Sequence, residues 1–329
     1  MKVLIAGDRV RYLAHAAEIP AAQKAEMVFA DREASEEELL AAAPDAEVLF
    51  VDPVEPVSER VIAGMPRLKM IHCEGVGVDR IDLAAARRRG VYVCNNAGCN
   101  APAVAELSIT LMSMLLHRAL WGDSMVRRGL QNEAVNETLA RIPRDLSDCT
   151  VGLVGFGSIA QAAAERLRAY GARLCYWTRR RRDGATEERF GVRYLPLEEL
   201  AAQSHVVSLY LPANEETTGL IGRDFLSRMQ PDGYLVNTGR GAVIDDRALC
   251  EALERGTLAG AALDAYFPEP VTEAHPLVRF AVGHPDKLIF SPHVGGITAS
   301  SYRRAHGMMW ADVEKLAEGK RPDHVVNGL

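Results

Sequence analysis

One stretch constrains this chain more than any other: TVGLVGFGSIAQAAAERLRAYGARLCYWT, residues 150–178. An apolar run reaches Gly155, the turn GFGSIA follows, an amphipathic pattern extends to Gly171, and a second apolar run closes at Thr178. This is strand, glycine turn, helix and strand, the context in which G-x-G-x-x-[GA] binds a dinucleotide. Gly155 permits the tight turn, Gly157 lets the backbone approach a pyrophosphate, and the small Ala160 lets the helix pack close to a sheet. The free amides at the helix start, at Ser158 and Ile159, face the anion. An ordinary strand–helix turn that happens to be glycine-rich is the plain alternative, and it leaves the flanking pattern unexplained.

The second strand ends where an NAD site places Asp or Glu for the ribose 2′-hydroxyl. Here that position is Thr178, followed by Arg179, Arg180, Arg181 and Arg182. A carboxylate would repel a 2′-phosphate. A hydroxyl beside Arg179 and Arg180 accepts one, because guanidinium offers paired donors in one plane. NADP is therefore expected in preference to NAD. Arg181 and Arg182 read as a solvated loop.

The rest of the chain agrees with an α/β protein. Runs such as KVLIAG, EVLFVD, LKMIHCEG and VYVCNN alternate with amphipathic segments, the rhythm of a parallel sheet. From Ala101 the pattern becomes one long apolar helix, then a polar stretch, LQNEAVNETLARIPRDLSDC, that reads as an irregular arm. A second strand series opens at Thr150, and SYRRAHGMMWADVEKLAEGK reads as a closing helix. With 329 residues, 48% of them hydrophobic, two domains are expected. A net charge of −6 argues against nucleic acid or a membrane surface as partner. The short N-terminal apolar run does not read as a signal peptide, and no run of eighteen apolar residues follows. Six cysteines without a C-x-x-C pair fit a reducing cytoplasm and no metal.

Reducing a ketone with a nicotinamide needs a proton donor, a cation for the substrate's carboxylate and carbonyl, and a group that tunes the donor. Candidates fall after later strands, where open sheets place ligands: Arg240 in VNTGRGAVID, Asp264 and Glu269 in GAALDAYFPEP, and His293 in FSPHVGG. Taken alone, Arg240 could merely fix a turn, His293 could cap a loop, and Glu269 between two prolines could be exposed.

At these residues the chain resembles the D-isomer-specific 2-hydroxyacid dehydrogenases. The match is carried in order by GVGVDRIDL, NAPAVAEL, GLVGFGSIAQ, LPANEETTGLI, NTGRGAVID, LDAYFPEP and SPHVGG. The resemblance implies that Arg240 binds the carboxylate and keto oxygen, that His293 is the acid/base, and that Glu269 pairs with it and favours its charged form. It places Asp264 near the nicotinamide and the substrate carboxylate on the backbone of Val76 and Gly77. It adds Pro212, Thr217, Thr238, Gly239 and Gly295 to the cofactor contacts.

The fold it implies is two Rossmann-like α/β domains with parallel sheets. Residues 1–99 and 296–329 would form a discontinuous substrate-binding domain, and 100–295 the dinucleotide-binding domain. A small 2-keto or 2-hydroxy acid is the expected partner, glyoxylate or hydroxypyruvate foremost, held in a cleft that closes, with a homodimer formed through the helix and arm after Asn100. Glu269 argues against formate dehydrogenase activity, since those members carry an amide there. Glu74 reads as an exposed loop residue, and no regulatory domain is expected after the last helix. A nucleotide-sensing corepressor, which uses the same fold and keeps much of the same triad, is the alternative; it predicts exposed peptide-binding clefts or disordered flanking tails, and such tails are not expected here.

Overall fold

Residues 1–32, 34–53 and 55–329 are described by a computed structural model. They form two compact units, Met1–Asn100 with Ile297–Leu329, and Ala101–Gly296.

The first unit holds five strands: β1 Lys2–Ala6, β2 Glu26–Ala30, β3 Val48–Val51, β4 Met70–Cys73 and β5 Tyr92–Cys94. All pair in parallel, in the order β2-β1-β3-β4-β5. Every residue of β3 and β4 is buried, because helices cover both faces of a parallel sheet, so these strands read as unbroken apolar runs. Leu39, Val61, Ile62 and Met65 fill one side. Tyr12, Met309, Trp310 and Val313 fill the other, so the closing helix Ala299–Ala317 completes this unit's core.

The second unit holds seven: β6 Thr150–Val154, β7 Arg173–Trp177, β8 Val192–Tyr194, β9 Val206–Leu209, β10 Tyr234–Asn237, β11 Gly260–Leu263 and β12 Leu288–Phe290. They are parallel throughout, ordered β12-β11-β10-β9-β6-β7-β8. The order reverses at β6, which pairs with β7 on one side and β9 on the other. The carboxyl ends at such a reversal open a crevice that takes ligands. The helix Ser158–Ala169 buries Ala160, Ala163, Ala164 and Leu167 against Ala105, Ile109 and Met112 of the helix Ala101–Leu116. Alanines at these positions let the two helices approach closely.

Three sequence expectations change. The long helix breaks at Arg118, whose φ of 51° is left-handed, and resumes as Ala119–Arg127 at a bend of 59°. Stacking of the Arg118 guanidinium over Trp121, 3.6 Å from its ring centre, accompanies the break. The supposed irregular arm contains a helix, Gln131–Ala140, in which Gln, Glu, Ala and Leu outnumber the weaker formers Asn, Val and Thr. β2 and β8 went unread: β2 is a half-exposed edge strand and β8 spans three residues. Among the described residues no single helix is long and apolar enough to cross a membrane.

Candidate active site

The residues singled out in the second half gather at the carboxyl ends of one sheet. The glycine turn follows β6, Thr178 follows β7, and Pro212 and Thr217 lie in the turn after β9. Thr238, Gly239 and Arg240 leave β10, Asp264 leaves β11, and His293 and Gly295 follow β12.

Gly155 has a φ of 92°, and a Cβ there would lie 2.9 Å from the Tyr210 carbonyl oxygen, so both conformation and space demand glycine. At Gly157 a Cβ would meet nothing within 4 Å, which leaves its face open to a bulky ligand. Gly157 is the N-cap of the helix Ser158–Ala169, and no side chain satisfies the first amides of that helix. Those free donors suit a pyrophosphate.

The four arginines after Thr178 are used unequally. Arg179 forms an ion pair with Glu216. Arg181 bonds Glu187 through two donors, both at 2.8 Å. Arg182, expected in a solvated loop, donates to the Phe156 carbonyl at 3.0 Å and so braces the glycine turn, although its side chain is otherwise exposed. Among the described residues Arg180 has no ion-pair partner. The Thr178 hydroxyl donates to the Arg180 carbonyl at 2.6 Å.

Toward the β12 edge of the sheet, at the same carboxyl ends, His293 Nδ1 lies 2.8 and 3.0 Å from the two oxygens of Glu269. Glu269 Oε1 also accepts the Tyr266 N–H at 2.8 Å. The Tyr266 hydroxyl lies 2.8 Å from the Leu263 carbonyl and 2.7 Å from that of Ser291, tying the turns after β11 and β12 together. His293 itself has a φ of 56°, an unfavourable conformation for a residue with a side chain. The next two amides hold it there. Val294 N–H and Gly295 N–H donate to Asp264 Oδ1 and Oδ2, at 3.0 and 2.9 Å. Asp264 is 2% exposed, and its carboxylate anchors this loop.

Arg240 leaves β10 in extended conformation, and its Nη1 donates to the Gly239 carbonyl at 3.0 Å. Asn237 braces the turn from both sides: it accepts the Gly239 N–H and donates to the Arg240 carbonyl, each at 3.0 Å. A Cβ on Gly241 would fall 1.9 Å from Tyr266 C, so the Arg240 turn and the Glu269 turn lie in direct contact. Thr238 shares a hydrogen bond of 2.8 Å with Ser108, and Thr217 Oγ1 donates to the Pro212 carbonyl at 2.6 Å.

In the first unit, Val76 and Gly77 lie in the loop after β4. Glu74 is not exposed as expected. Its side chain is 8% accessible and accepts Arg11 Nη2 and His306 Nε2, each at 2.7 Å. Tyr266 and Arg182 were not anticipated. Each acts by bonding a backbone carbonyl, for which the sequence carries no motif.

Residues 109–295 match the family described as D-isomer specific 2-hydroxyacid dehydrogenase, NAD binding domain. A glyoxylate reductase of Thermococcus litoralis is 34% identical over 285 residues, 86% of this chain and 83% of that protein. One from Thermofilum pendens is 32% identical over 293 residues, 89% and 85% of the two chains. Among solved structures, the TT0316 protein from Thermus thermophilus matches with a TM-score of 0.84 at 32% identity, covering 99% of this chain and 100% of that one. The holo form of Rhodotorula graminis D-mandelate dehydrogenase matches at 0.86 and 26% identity, covering 99% and 97%.

Proposed function

The chain belongs to the D-isomer-specific 2-hydroxyacid dehydrogenases, and we propose that within them it is an NADP-preferring reductase of small 2-keto acids, glyoxylate and hydroxypyruvate first. It is an oxidoreductase that moves hydride between a nicotinamide nucleotide and a 2-keto or 2-hydroxy acid. The observation that carries the ketone-reducing chemistry is the His293–Glu269 pair, set at the carboxyl end of the sheet that also bears the glycine turn; NADP preference is supported by Thr178, Arg179 and Arg180 after β7. A nucleotide-sensing role is not favoured, since the chain is similar to glyoxylate reductases at 32% and 34% identity.

The nicotinamide, when bound, supplies the hydride for the keto carbon. His293 gives the keto oxygen its proton from Nε2, because Nδ1 is committed to Glu269. Glu269 holds the ring and balances its charge. Arg240 neutralises the substrate carboxylate and the alkoxide that forms as the carbonyl is reduced. Oxidation runs these transfers backwards. The free amides at Ser158 and Ile159 and the open face of Gly157 fit the pyrophosphate. Arg179 and Arg180 supply the cations for a 2′-phosphate beside Thr178.

The second unit is proposed as the cofactor domain and the first as the substrate domain, with Val76 and Gly77 donating to the carboxylate. A homodimer is proposed through the segment 119–142. Its support is the exposure of Leu120, Val126, Val135, Leu139 and Ile142 along that segment. Six unpaired cysteines support a reducing cytoplasm.

The test is absorbance at 340 nm with glyoxylate, hydroxypyruvate, pyruvate and phenylpyruvate, each with NADPH and NADH. Faster turnover of the first two with NADPH supports the reading. Equal or faster turnover with NADH removes the NADP preference, and turnover of phenylpyruvate alone removes the substrate assignment.

A further inference from the structure

In the loop after β4, three successive carbonyls are each held by a donor. Gly75 O accepts the Asn96 N–H at 2.9 Å, Val76 O accepts Asn95 Nδ2 at 2.7 Å, and Gly77 O accepts the Cys73 thiol at 3.0 Å. In a trans peptide the N–H points opposite to the carbonyl it is bonded through. The adjacent residues Asn95 and Asn96 therefore turn the N–H groups of Val76 and Gly77 away from themselves. Among the described residues neither N–H has an acceptor.

The donors behind the loop are themselves fixed. Asn96 is fully buried, and its Nδ2 lies 3.1 Å from the Cys73 carbonyl and 2.9 Å from the Glu74 carbonyl. Asn95 Oδ1 accepts the Ala97 N–H at 3.3 Å, which orients the amide so that Nδ2 faces Val76. A Cβ on Gly75 would lie 2.3 Å from Pro53 Cγ, so the loop rests against Pro53 and has no room to slide back. Glu74, two residues before Val76, is spent on Arg11 and His306. The amides are thus free to meet an anion without competition from it.

We infer that Asn95 is a positioning residue for the substrate: by holding the Val76 carbonyl, it aims the Gly77 N–H at the carboxylate of the 2-keto acid. This rests on the reductase reading above. Asn95 does not touch the substrate; it sets one peptide plane. Without its amide the Val76–Gly77 peptide rotates, and the ordering cost falls on each binding event.

The experiment compares the wild-type protein with Asn95→Ala and Asn95→Asp in two measurements. In steady-state kinetics with NADPH, the keto-acid KM should rise about tenfold in Asn95→Ala, the worth of one hydrogen bond to an ion. It should rise further in Asn95→Asp, whose acceptor would face the Val76 carbonyl. The nucleotide KM and kcat should stay within about twofold. A purely structural role predicts the reverse, a reduced active fraction that lowers kcat at unchanged KM, and that result overturns the proposal.

The second measurement is calorimetric titration with oxamate at saturating NADPH, which reads carboxylate binding without turnover. A matching rise in Kd supports the proposal, and equal affinity in wild type and variants overturns it. If the wild type reduces no keto acid, the reductase reading falls while the titration still decides the role of Asn95. A wild-type protein that neither reduces a keto acid nor binds oxamate overturns both.

Discussion

Glu269 presents both carboxylate oxygens to His293 Nδ1, at 2.8 and 3.0 Å, while the Tyr266 N–H pins one of them in place. The side chains are 35% and 46% accessible, so the pair contributes little to folding. Its effect belongs to the ring's orientation. Glu269→Gln should therefore leave Tm within a few degrees and lower kcat about a hundredfold. Comparing the thermal melt with turnover checks this, and a variant with unchanged kcat would show the pair to be incidental. His293→Asn is the companion substitution, because Asn tolerates the positive φ that most side chains resist. It should lower kcat by about 10²–10⁴ with nucleotide affinity unchanged, measured by fluorescence titration.

Asp264 should matter to stability and activity together. Both of its oxygens accept backbone amides from the strained turn at His293. In Asp264→Asn one of those amides faces an NH₂ group, leaving two donors opposed in a buried site. The expected cost is about 1–3 kcal/mol in urea unfolding. A loss of activity should exceed the fraction unfolded, since the turn carries the proposed acid. Stability equal to wild type would contradict this account of the loop.

The cofactor preference should respond to Glu216 as well as to the arginines. Arg179 and Glu216 are 68% and 61% accessible, an exposed ion pair that is easily exchanged for another anion. Glu216→Gln should free Arg179 and lower the KM for NADPH about two- to fivefold, with the KM for NADH little changed. Arg179→Ala should raise the KM for NADPH alone. Arg182→Ala should raise both, because Arg182 braces the Phe156 carbonyl of the turn that either nucleotide uses. A uniform response to all three substitutions would sink the proposed division of labour.

Much of this site was legible because its chemistry needs particular residue types at fixed spacing. Gly155 requires a positive φ, Gly157 an open face, and His293 and Glu269 a charge partner, and each requirement names a residue. Strands β3, β4 and β6 were legible for a similar reason, since burial on both faces leaves an unbroken apolar run. What escaped was set by contacts distant in sequence. The break at Arg118 involves a conformation that its neighbours do not announce. Glu74 looked like a loop carboxylate, but Arg11 and His306, 63 residues before it and 232 after it, draw it into the interior. Asn95 followed an apolar strand like any turn residue, and only the fold shows which carbonyl it holds.

The same long-range pairing governs the acid limit of stability in the first unit. Asp312 is fully buried and accepts His72 Nε2 at 3.2 Å, His324 Nδ1 at 2.9 Å and the Asp323 N–H at 2.8 Å. Burial alone would push its carboxyl up. The donors from His72, Asp323 and His324 outweigh that and bring it down to about 2. A carboxyl with a depressed folded pKa adds stability above its unfolded value, near 3.9, and loses it as pH falls through the folded value. The stabilising term should thus be intact at pH 5 and fade between about pH 4 and pH 2, by about 2–3 kcal/mol in total. Urea melts at pH 5, 4 and 3 should show that decline. Asp312→Asn should start lower at pH 5 and decline less steeply, because no carboxyl at that position remains to be protonated. Parallel pH profiles for the two proteins would place the acid sensitivity elsewhere.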